Sequence, residues 1–233
     1  MAQYGAMNVL VIVAHPDDEI LGCGATLRRL RNEGHRIASV VLCADADARA
    51  DRPPDLSRYA VEAARTVGID ETANHHFKNI QFNTYPHIEI VKAIEVAIER
   101  FQPEMVFTLH PRDLNIDHRV TYEAAMAALM LPQRLTRPAL SPTLIRKIYL
   151  CEVPSSTDWS PASTEPAFMP NAFFDVHATL EKKLEALQHF EGAMKPFPHS
   201  RSIENVRHLA HMRGAQAGIE LAEAFVLVRD LVI

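Results

Sequence analysis

The sequence predicts an α/β fold, a Rossmann-like three-layer sandwich with a mostly parallel central sheet. Strand patterns alternate with helix patterns along the chain, which implies right-handed crossovers in a parallel sheet. The first strand, Asn8–Ala14 (NVLVIVA), is an almost continuous apolar run, typical of a strand covered by helices on both faces. The chain of 233 residues, 48% of them hydrophobic, is long enough for one sizeable core. We therefore expect a single domain over residues 1–233.

The remaining elements follow in chain order. A helical pattern over Gly22–Glu33 ends at Gly34, which is suited to a helix C-cap. Further strands are predicted at Arg36–Cys43, Glu104–Leu109 and Ile145–Glu152, and further helices at Ser57–Val67, Ile88–Phe101, Arg119–Leu129, Thr179–Glu191 and Ile203–Ala224. The segment Pro154–Pro170, rich in Pro, Ser and Thr, is expected to be a long loop.

Composition and charge exclude several classes of protein. The formal net charge of −5 provides no basic surface for a phosphate backbone, so we expect no nucleic-acid partner. No apolar stretch is long enough to span a bilayer, and the first residues lack the features of a signal peptide. Cys23, Cys43 and Cys151 have no CxxC spacing, which favours a cytoplasmic location and argues against disulfides or a thiolate metal site.

A first polar cluster follows the first predicted strand. Residues 15–19 read His-Pro-Asp-Asp-Glu, at the carboxyl end of a strand, where open parallel sheets bind ligands. Adjacent carboxylates repel each other unless a cation or backbone N–H groups compensate them, and His beside carboxylates is a ligand set that suits zinc. The alternative is a solvated acidic turn in which Asp17 or Asp18 caps the next helix.

A second cluster makes a metal site the better interpretation. Residues 110–118 read HPRDLNIDH and also join the end of a strand, Glu104–Leu109, to a helix. Two His/Asp clusters are thereby expected at one edge of the sheet, where they could supply three protein ligands and leave a position for water. Eight histidines lie outside the two clusters and outside the His-Ser-Arg segment at residues 199–201. They are expected to be ordinary surface or core histidines: His35, His75, His76, His87, His177, His189, His208 and His211.

The paired motifs AHPDDE and HPRDLNIDH together closely resemble the LmbE-like, or PIG-L, family of N-acetylglucosaminyl deacetylases. Later segments also look like blocks of this family: FNTYPHIEIVKAIE, CEVPSSTDW, PFPHSRS and RGAQAGIELAEAFVLVR. The resemblance implies a Rossmann-like fold, a mononuclear zinc and hydrolysis of an acetamido group on a sugar or sugar conjugate. The implied partner is a small amino-sugar substrate, and a homo-oligomer is left open.

The resemblance also implies roles for individual residues. His15, Asp18 and His118 become the metal ligands, and Asp17 becomes the general base that activates a zinc-bound water. The same ligand set suits Fe²⁺, Mn²⁺ or Co²⁺, so the sequence does not select zinc over these ions. Asp117 is expected to hydrogen-bond a ligand or the base from behind.

The chain departs from the family pattern at several positions. Asn115 stands where many relatives have a histidine; it can donate a hydrogen bond to an oxyanion but cannot carry a proton. The role of acid therefore falls on Asp17 or His199. Asn79 and Asn83 replace aspartates expected in this branch, which either changes the substrate or indicates that these loops do not face it.

Two further residues are candidates for substrate binding. Arg201, next to His199 in PHSRS, suits a carboxylate, phosphate or sugar hydroxyl, although the segment could be an ordinary basic loop. Trp159 could place its ring under a sugar, or it could anchor its loop to the core. Arg213 and Glu223 are expected in structural ion pairs.

The sequence therefore predicts a zinc-dependent hydrolytic deacetylase. Two alternatives remain open. A non-catalytic metal- or sugar-binding relative is motivated by Asn115. A nucleotide-binding domain needs a Gly-rich loop after the first strand, whereas HPDDEILGCG presents carboxylates there.

Overall fold

The computed structural model describes residues 5–44, 57–130, 144–161, 167–190 and 192–232. The strands in this part of the chain are β1 (Asn8–Val13), β2 (Arg36–Val41), β3 (Glu71–Asn74), β4 (Met105–Leu109), β5 (Lys147–Cys151), β6 (Ala172–Asp175) and β7 (Ala222–Asp230). The α-helices are α1 (Asp18–Asn32), α2 (Ser57–Val67), α3 (His87–Phe101), α4 (Ile116–Met130), α5 (Leu180–Gln188) and α6 (Ile203–Ala217), and a short 3₁₀ helix covers Phe82–Thr84.

The strands form one sheet in the order β3-β2-β1-β4-β5-β7-β6. Pairing is parallel from β3 through β5, and only β7 runs antiparallel to its two neighbours, β5 and β6. Residues Val9–Val13 are all buried; because successive side chains point to opposite faces, both faces of β1 are covered. Helices α1, α2 and α5 pack against one another, and α3 packs against α4. The α/β three-layer sandwich is confirmed.

The final predicted helix is partly wrong. Helix α6 ends at Ala217, and Gly218 follows with φ 72°, a left-handed conformation that closes a helix. The chain then forms β7 instead of continuing the helix to Ala224. Strands β3 and β6 were not predicted, because each has only four residues and is incompletely buried. Residue 191, the predicted end of the preceding helix, lies outside the described residues.

Two helices begin earlier than the sequence pattern indicated, and this places the polar clusters. Helix α1 begins at Asp18 instead of Gly22, and α4 begins at Ile116 instead of Arg119. Asp18 and His118 therefore lie in the first turns of helices, directly after the loops that leave β1 and β4.

A buried ion pair joins α1 to α5 and β7. Lys183 Nζ donates to Glu223 Oε1 at 2.6 Å and to the Leu21 carbonyl at 2.7 Å. Glu223 also accepts from the backbone N–H groups of Ala25 and Thr26 at 3.3 and 2.7 Å. Charged side chains thus bind backbone groups in the middle of α1, and they fix the helix that begins with Asp18.

The second expected ion pair is also present, between Arg213 and Glu152 at 2.6 and 2.7 Å.

No helix in the described residues is long and apolar enough to cross a membrane. The single-domain span of 1–233 stays a prediction.

Candidate metal centre and active site

The two polar clusters meet because β1 and β4 are adjacent parallel strands, with Val9 opposite Met105. The loops that follow the two strands consequently leave the same edge of the sheet. His15 lies just after β1, and His118 lies in the first turn of α4. Residues 102 or more positions apart in the chain are thereby brought into contact.

His15, Asp18 and His118 form a compact buried group. Asp18 Oδ2 lies 3.3 Å from His15 Nδ1 and 3.2 Å from His118 Nε2, and these two nitrogens are 3.3 Å apart. Among the described residues this is the only cluster of three or more His, Cys, Asp or Glu side chains with ligand atoms close enough to share a metal ion. The other oxygen, Asp18 Oδ1, is buried without a hydrogen-bond partner in the described part of the chain.

The geometry and chemistry of this group fit a divalent metal ion. Two imidazole nitrogens and a carboxylate oxygen are a common ligand set for catalytic zinc, and the same set also binds other first-row divalent ions. A buried carboxylate oxygen without a partner costs free energy unless a cation or water satisfies it. The three side chains could therefore hold a metal with at least one coordination position left for water or substrate.

A carboxylate supports each histidine from behind. Asp117 Oδ2 lies 3.0 Å from His15 Nε2, so Nδ1 of His15 is the nitrogen that faces Asp18 and His118. Asp113 Oδ2 lies 3.1 Å from His118 Nδ1, which leaves Nε2 of His118 facing the group. Such outer carboxylates fix the tautomer and the ring orientation of metal-binding histidines.

The sequence reasoning missed Asp113 and the side chains that hold it. Asp113 accepts hydrogen bonds from Thr157 Oγ1 at 2.9 Å, from Ser156 Oγ and from the backbone N–H of Asn115 at 2.8 Å. Its position inside the HPRDLNIDH motif was a usable signal. The hydrogen bonds from Ser156 and Thr157 had no signal in the sequence, because those residues lie 43 and 44 positions away from Asp113.

Asp117 also organises a neighbouring loop. Its two carboxylate oxygens accept from the backbone N–H groups of Ile80 at 2.6 Å and Phe82 at 3.0 Å. The loop between β3 and α3 is thereby fixed beside the group of His15, Asp18 and His118. Within it, Asn79 is half-buried and Asn83 is exposed.

The pKa values show that the group attracts positive charge. Burial by itself lowers the pKa of His118, but the charge of Asp18 and the hydrogen bond to Asp113 outweigh burial and raise it to about 10. Burial likewise lowers the pKa of His15, yet hydrogen bonds to Asp117 and Asp18 leave it above its ordinary value. Burial disfavours ionised Asp18, but the charge of His118 and hydrogen bonds to His118 and His15 hold its pKa well below the usual range. A cation at this point would thus meet compensating negative charge.

Glu19 differs from its neighbours. Burial, reinforced by the charges of Asp17 and Asp18, raises the pKa of Glu19 to about 8. Its Oε2 accepts from the backbone N–H of Asp17 at 3.2 Å. Glu19 is therefore a buried carboxyl that supports the turn from the side of α1.

Asp17 lies beside the group in an unusual backbone conformation. Its φ is 117°, a sparsely populated value for a residue with a side chain. It precedes the first residue of α1, but its carboxylate makes no capping hydrogen bond. Instead, Oδ2 accepts from Arg201 Nη1 at 2.9 Å.

The loop that carries Arg201 lies on the Asp17 side of the site. The backbone N–H of Arg201 donates to His199 Nδ1 at 3.0 Å. The ring centroids of His199 and Trp159 are 5.1 Å apart. Trp159 is 51% exposed, so much of its ring is available to a ligand. The three residues from the two later loops are therefore together, and Arg201 connects them to Asp17.

Asn115 binds the backbone of its own loop and helix. Its Oδ1 accepts from the N–H of Asp117 at 2.9 Å, the hydrogen bond that a helix N-cap makes. The side chain is partly exposed. Its position at the start of α4 is thus explained by helix capping.

A buried His₂Asp group beside a further carboxylate, at the carboxyl edge of a mostly parallel sheet, is an arrangement that metal-dependent hydrolases use. The sequence model of the PIG-L family, described as GlcNAc-PI de-N-acetylase, matches residues 10–129. The chain belongs to this family, which confirms the resemblance and identifies a hydrolase of amide carbon–nitrogen bonds. The matched segment contains all of His15, Asp18 and His118, whereas Arg201 lies outside it.

One relative that is named a deacetylase is similar in sequence, and two solved structures are similar in fold. The chain is 33% identical over 137 residues to the uncharacterized deacetylase YaiS of Escherichia coli K12, covering 55% of this chain and 71% of the relative. The fold is also similar to N,N'-diacetylchitobiose deacetylase from Pyrococcus horikoshii, with a TM-score of 0.75, 22% identity and coverage of 96% and 84% of the two chains. GalB, the 4-carboxy-2-hydroxymuconate hydratase of Pseudomonas putida KT2440, has a TM-score of 0.76, 21% identity and coverage of 97% and 98%.

Proposed function

We propose that the chain is a zinc-dependent deacetylase that hydrolyses the acetamido group of an N-acetylated amino sugar or sugar conjugate. The observation that most strongly supports this is the buried group of His15, Asp18 and His118 with the carboxylate of Asp17 beside it. Family membership supports amide hydrolysis, and the names of the family and of the diacetylchitobiose deacetylase support a sugar substrate. The three cysteines are buried thiols, and we propose that the protein works in a reducing cytoplasm.

In this proposal His15, Asp18 and His118 hold the metal. A bound zinc ion would supply a Lewis acid and lower the pKa of a coordinated water to about 7. Asp117 and Asp113 each accept the proton on the ring nitrogen that points away from the ion, and this leaves the lone pair of the opposite nitrogen available to the ion.

Asp17 is proposed as the general base. Its carboxylate takes a proton from the attacking water and, once protonated, can return a proton to the departing amine. His199 is the other candidate for this last step. Because His199 Nδ1 accepts a hydrogen bond from Arg201 N–H, the neutral ring carries its proton on Nε2, where it can donate.

Trp159 is proposed to contact the sugar. Its exposed ring adjoins His199, and aromatic faces suit the apolar side of a pyranose. No nucleic-acid partner is proposed, and the oligomeric state stays open.

The test combines metal analysis with substrate screening. The purified protein should contain one zinc per chain and release acetate from at least one compound in a panel of N-acetylated amino sugars and their conjugates. Asp17→Asn should keep its zinc and lose about 10²–10⁴ in kcat, because the amide cannot accept the proton. His118→Ala should lose its zinc, whereas the exposed control His211→Ala should keep both zinc and turnover.

Other outcomes would redirect the proposal. Bound zinc without acetate release from any compound would favour the non-catalytic relative. Because the hydratase GalB shares this fold at 21% identity, the fold alone does not select the reaction, and acetate release is the deciding measurement. Normal turnover by Asp17→Asn would assign the base elsewhere.

A further inference from the structure

We infer that Arg201 is a positioning residue, which orients the carboxylate of Asp17 and does not bind the substrate. This inference rests on the proposed function, in which Asp17 is the general base. It assigns Arg201 a different task from the substrate contact expected from the sequence.

The contact between the two residues is direct and largely shielded from water. Arg201 Nη1 donates to Asp17 Oδ2 at 2.9 Å, and the two side chains are only 15% and 4% exposed. A charge-assisted hydrogen bond in such surroundings is stronger and more directional than one in water. When one oxygen of a carboxylate is fixed, the direction of the other oxygen is fixed as well. A general base needs this fixed direction to reach the proton that it accepts.

Arg201 is itself held by two loops. Its Nε donates to Ser155 Oγ at 2.7 Å and to the Pro154 carbonyl at 3.1 Å, in the loop that follows β5. On the other side, Ser202 Oγ accepts from Asn205 N–H at 3.0 Å and caps α6, so Arg201 directly precedes a fixed N-cap residue. Two of the three guanidinium nitrogens are therefore bound to protein atoms in the absence of substrate.

Asp17 has a particular need for such a partner. It adjoins Asp18 in the chain, and like charges this close repel each other. Its φ of 117° is a sparsely populated value, and such a conformation persists only where surrounding contacts hold it. The positive charge of Arg201 offsets the repulsion and at the same time sets the direction of the carboxylate.

The competing role, binding an anionic or hydroxyl group of the substrate, makes a different kinetic prediction. Loss of a substrate contact present throughout the reaction raises KM and leaves kcat unchanged. Loss of a contact that orients the base lowers kcat and leaves KM unchanged. A residue that acts only through Asp17 should also have no effect once Asp17 can no longer act as a base.

The experiment is a double-mutant cycle on the full-length, zinc-loaded protein with Asp17→Asn, Arg201→Met and the combination. The substrate is the N-acetylated sugar that gives most acetate with the wild type. Arg201→Met should lower kcat by about 10- to 100-fold, the typical cost of misplacing a catalytic group, with KM changed less than about twofold. In the Asp17→Asn background it should cause no further loss, and the substrate Kd measured there by calorimetry should also be unchanged.

Two controls keep the result interpretable. Zinc content and the melting temperature show whether Arg201→Met folds and binds metal. If it does not, Ser155→Ala removes an anchor of Arg201 and keeps both members of the ion pair; it should give a smaller fall in kcat in the same direction. A tenfold rise in KM or Kd in both backgrounds, or losses that simply add, would overturn the inference. By contrast, normal turnover by Asp17→Asn alone, or no acetate release by the wild type, would reject the proposed function first.

Discussion

Left-handed backbone conformations of residues other than glycine are concentrated around the site. Among the described residues, four residues other than glycine have positive φ, and three of them, Asp17, Ile80 and Ser155, lie in its loops. The fourth, Gln102, is the C-cap of α3. A β-branched residue with φ of 59°, as at Ile80, is a clear outlier. It is held there by the hydrogen bond to Asp117, so the network that orients His15 also maintains this strained turn.

Asn115 provides a residue-scale prediction. Because its Oδ1 accepts from Asp117 N–H, Asn115→Ala should lower the free energy of unfolding by about 1 kcal/mol, the usual cost of removing an N-cap. Asn115→Asp keeps the capping oxygen and should unfold near wild type. Urea denaturation of the three proteins measures both effects.

The kinetics of the same variants separate capping from an oxyanion role. If Asn115 donates to an oxyanion, Asn115→Ala should lose about 10²–10³ in kcat, and Asn115→Asp, which lacks the amide donor, should lose as much. A slow Asn115→Asp protein of normal stability would show that Asn115 serves the reaction as well as the helix.

The predictability of the site differed from residue to residue. His15, Asp18 and His118 stand out in two short motifs that directly follow apolar strands. The contact between Asp17 and Arg201 spans 184 positions and leaves no trace in spacing or periodicity. Asp113 stands inside the HPRDLNIDH motif, but the motif does not show that it pairs with His118 or that Ser156 and Thr157 hold it.

At the scale of elements, the ion pair that binds the middle of α1 should be important for stability. Lys183→Met would leave the Glu223 carboxylate buried without its cation, and it should lower the free energy of unfolding by about 3–5 kcal/mol. Lys182→Met is a matched control on the same helix, because Lys182 pairs with Glu185 at the surface. Its cost should stay below about 1 kcal/mol.

Urea unfolding of both variants tests this prediction. Adding Glu223→Gln to Lys183→Met removes the stranded charge and should restore part of the lost stability. Equal costs for Lys183→Met and Lys182→Met would mean that the buried pair contributes no more than an exposed one.

Elements with strong patterns were predicted, and weak ones were not. Strands β1 and β4 are largely apolar runs, so their ends, and with them the edge that carries the site, were located to within one residue. The predicted helix Ile203–Ala224 includes the first three residues of β7, and the rest of that strand is not predicted, because a short apolar run after an Ala-rich helix does not show by periodicity where the helix stops. Gly218 was the local signal for that boundary.

For the whole molecule, metal binding and folding should be linked. The ligand group is assembled from distant parts of the chain, so an ion that binds only the folded state stabilises it by about 2.7 kcal/mol at a free concentration 100 times the Kd. Chelation should therefore lower the melting temperature of the wild type, and added zinc should restore it. Asp18→Ala should melt at the same temperature with and without zinc, and a zinc-dependent shift in that variant would place the stabilising site elsewhere.

The position of β7 between β5 and β6 has a consequence for biosynthesis. A growing polypeptide completes the segment that provides His15, Asp18 and His118 while β7 is still unmade, so β5 and β6 both leave the ribosome with a hydrogen-bonding edge awaiting the same late strand. Unpaired edges of this kind invite association with other chains. We therefore expect the nascent protein to be most prone to misassembly while α5 and α6 are translated, and we expect the pairing of β7 with β5 and β6 to end the exposure of their facing edges.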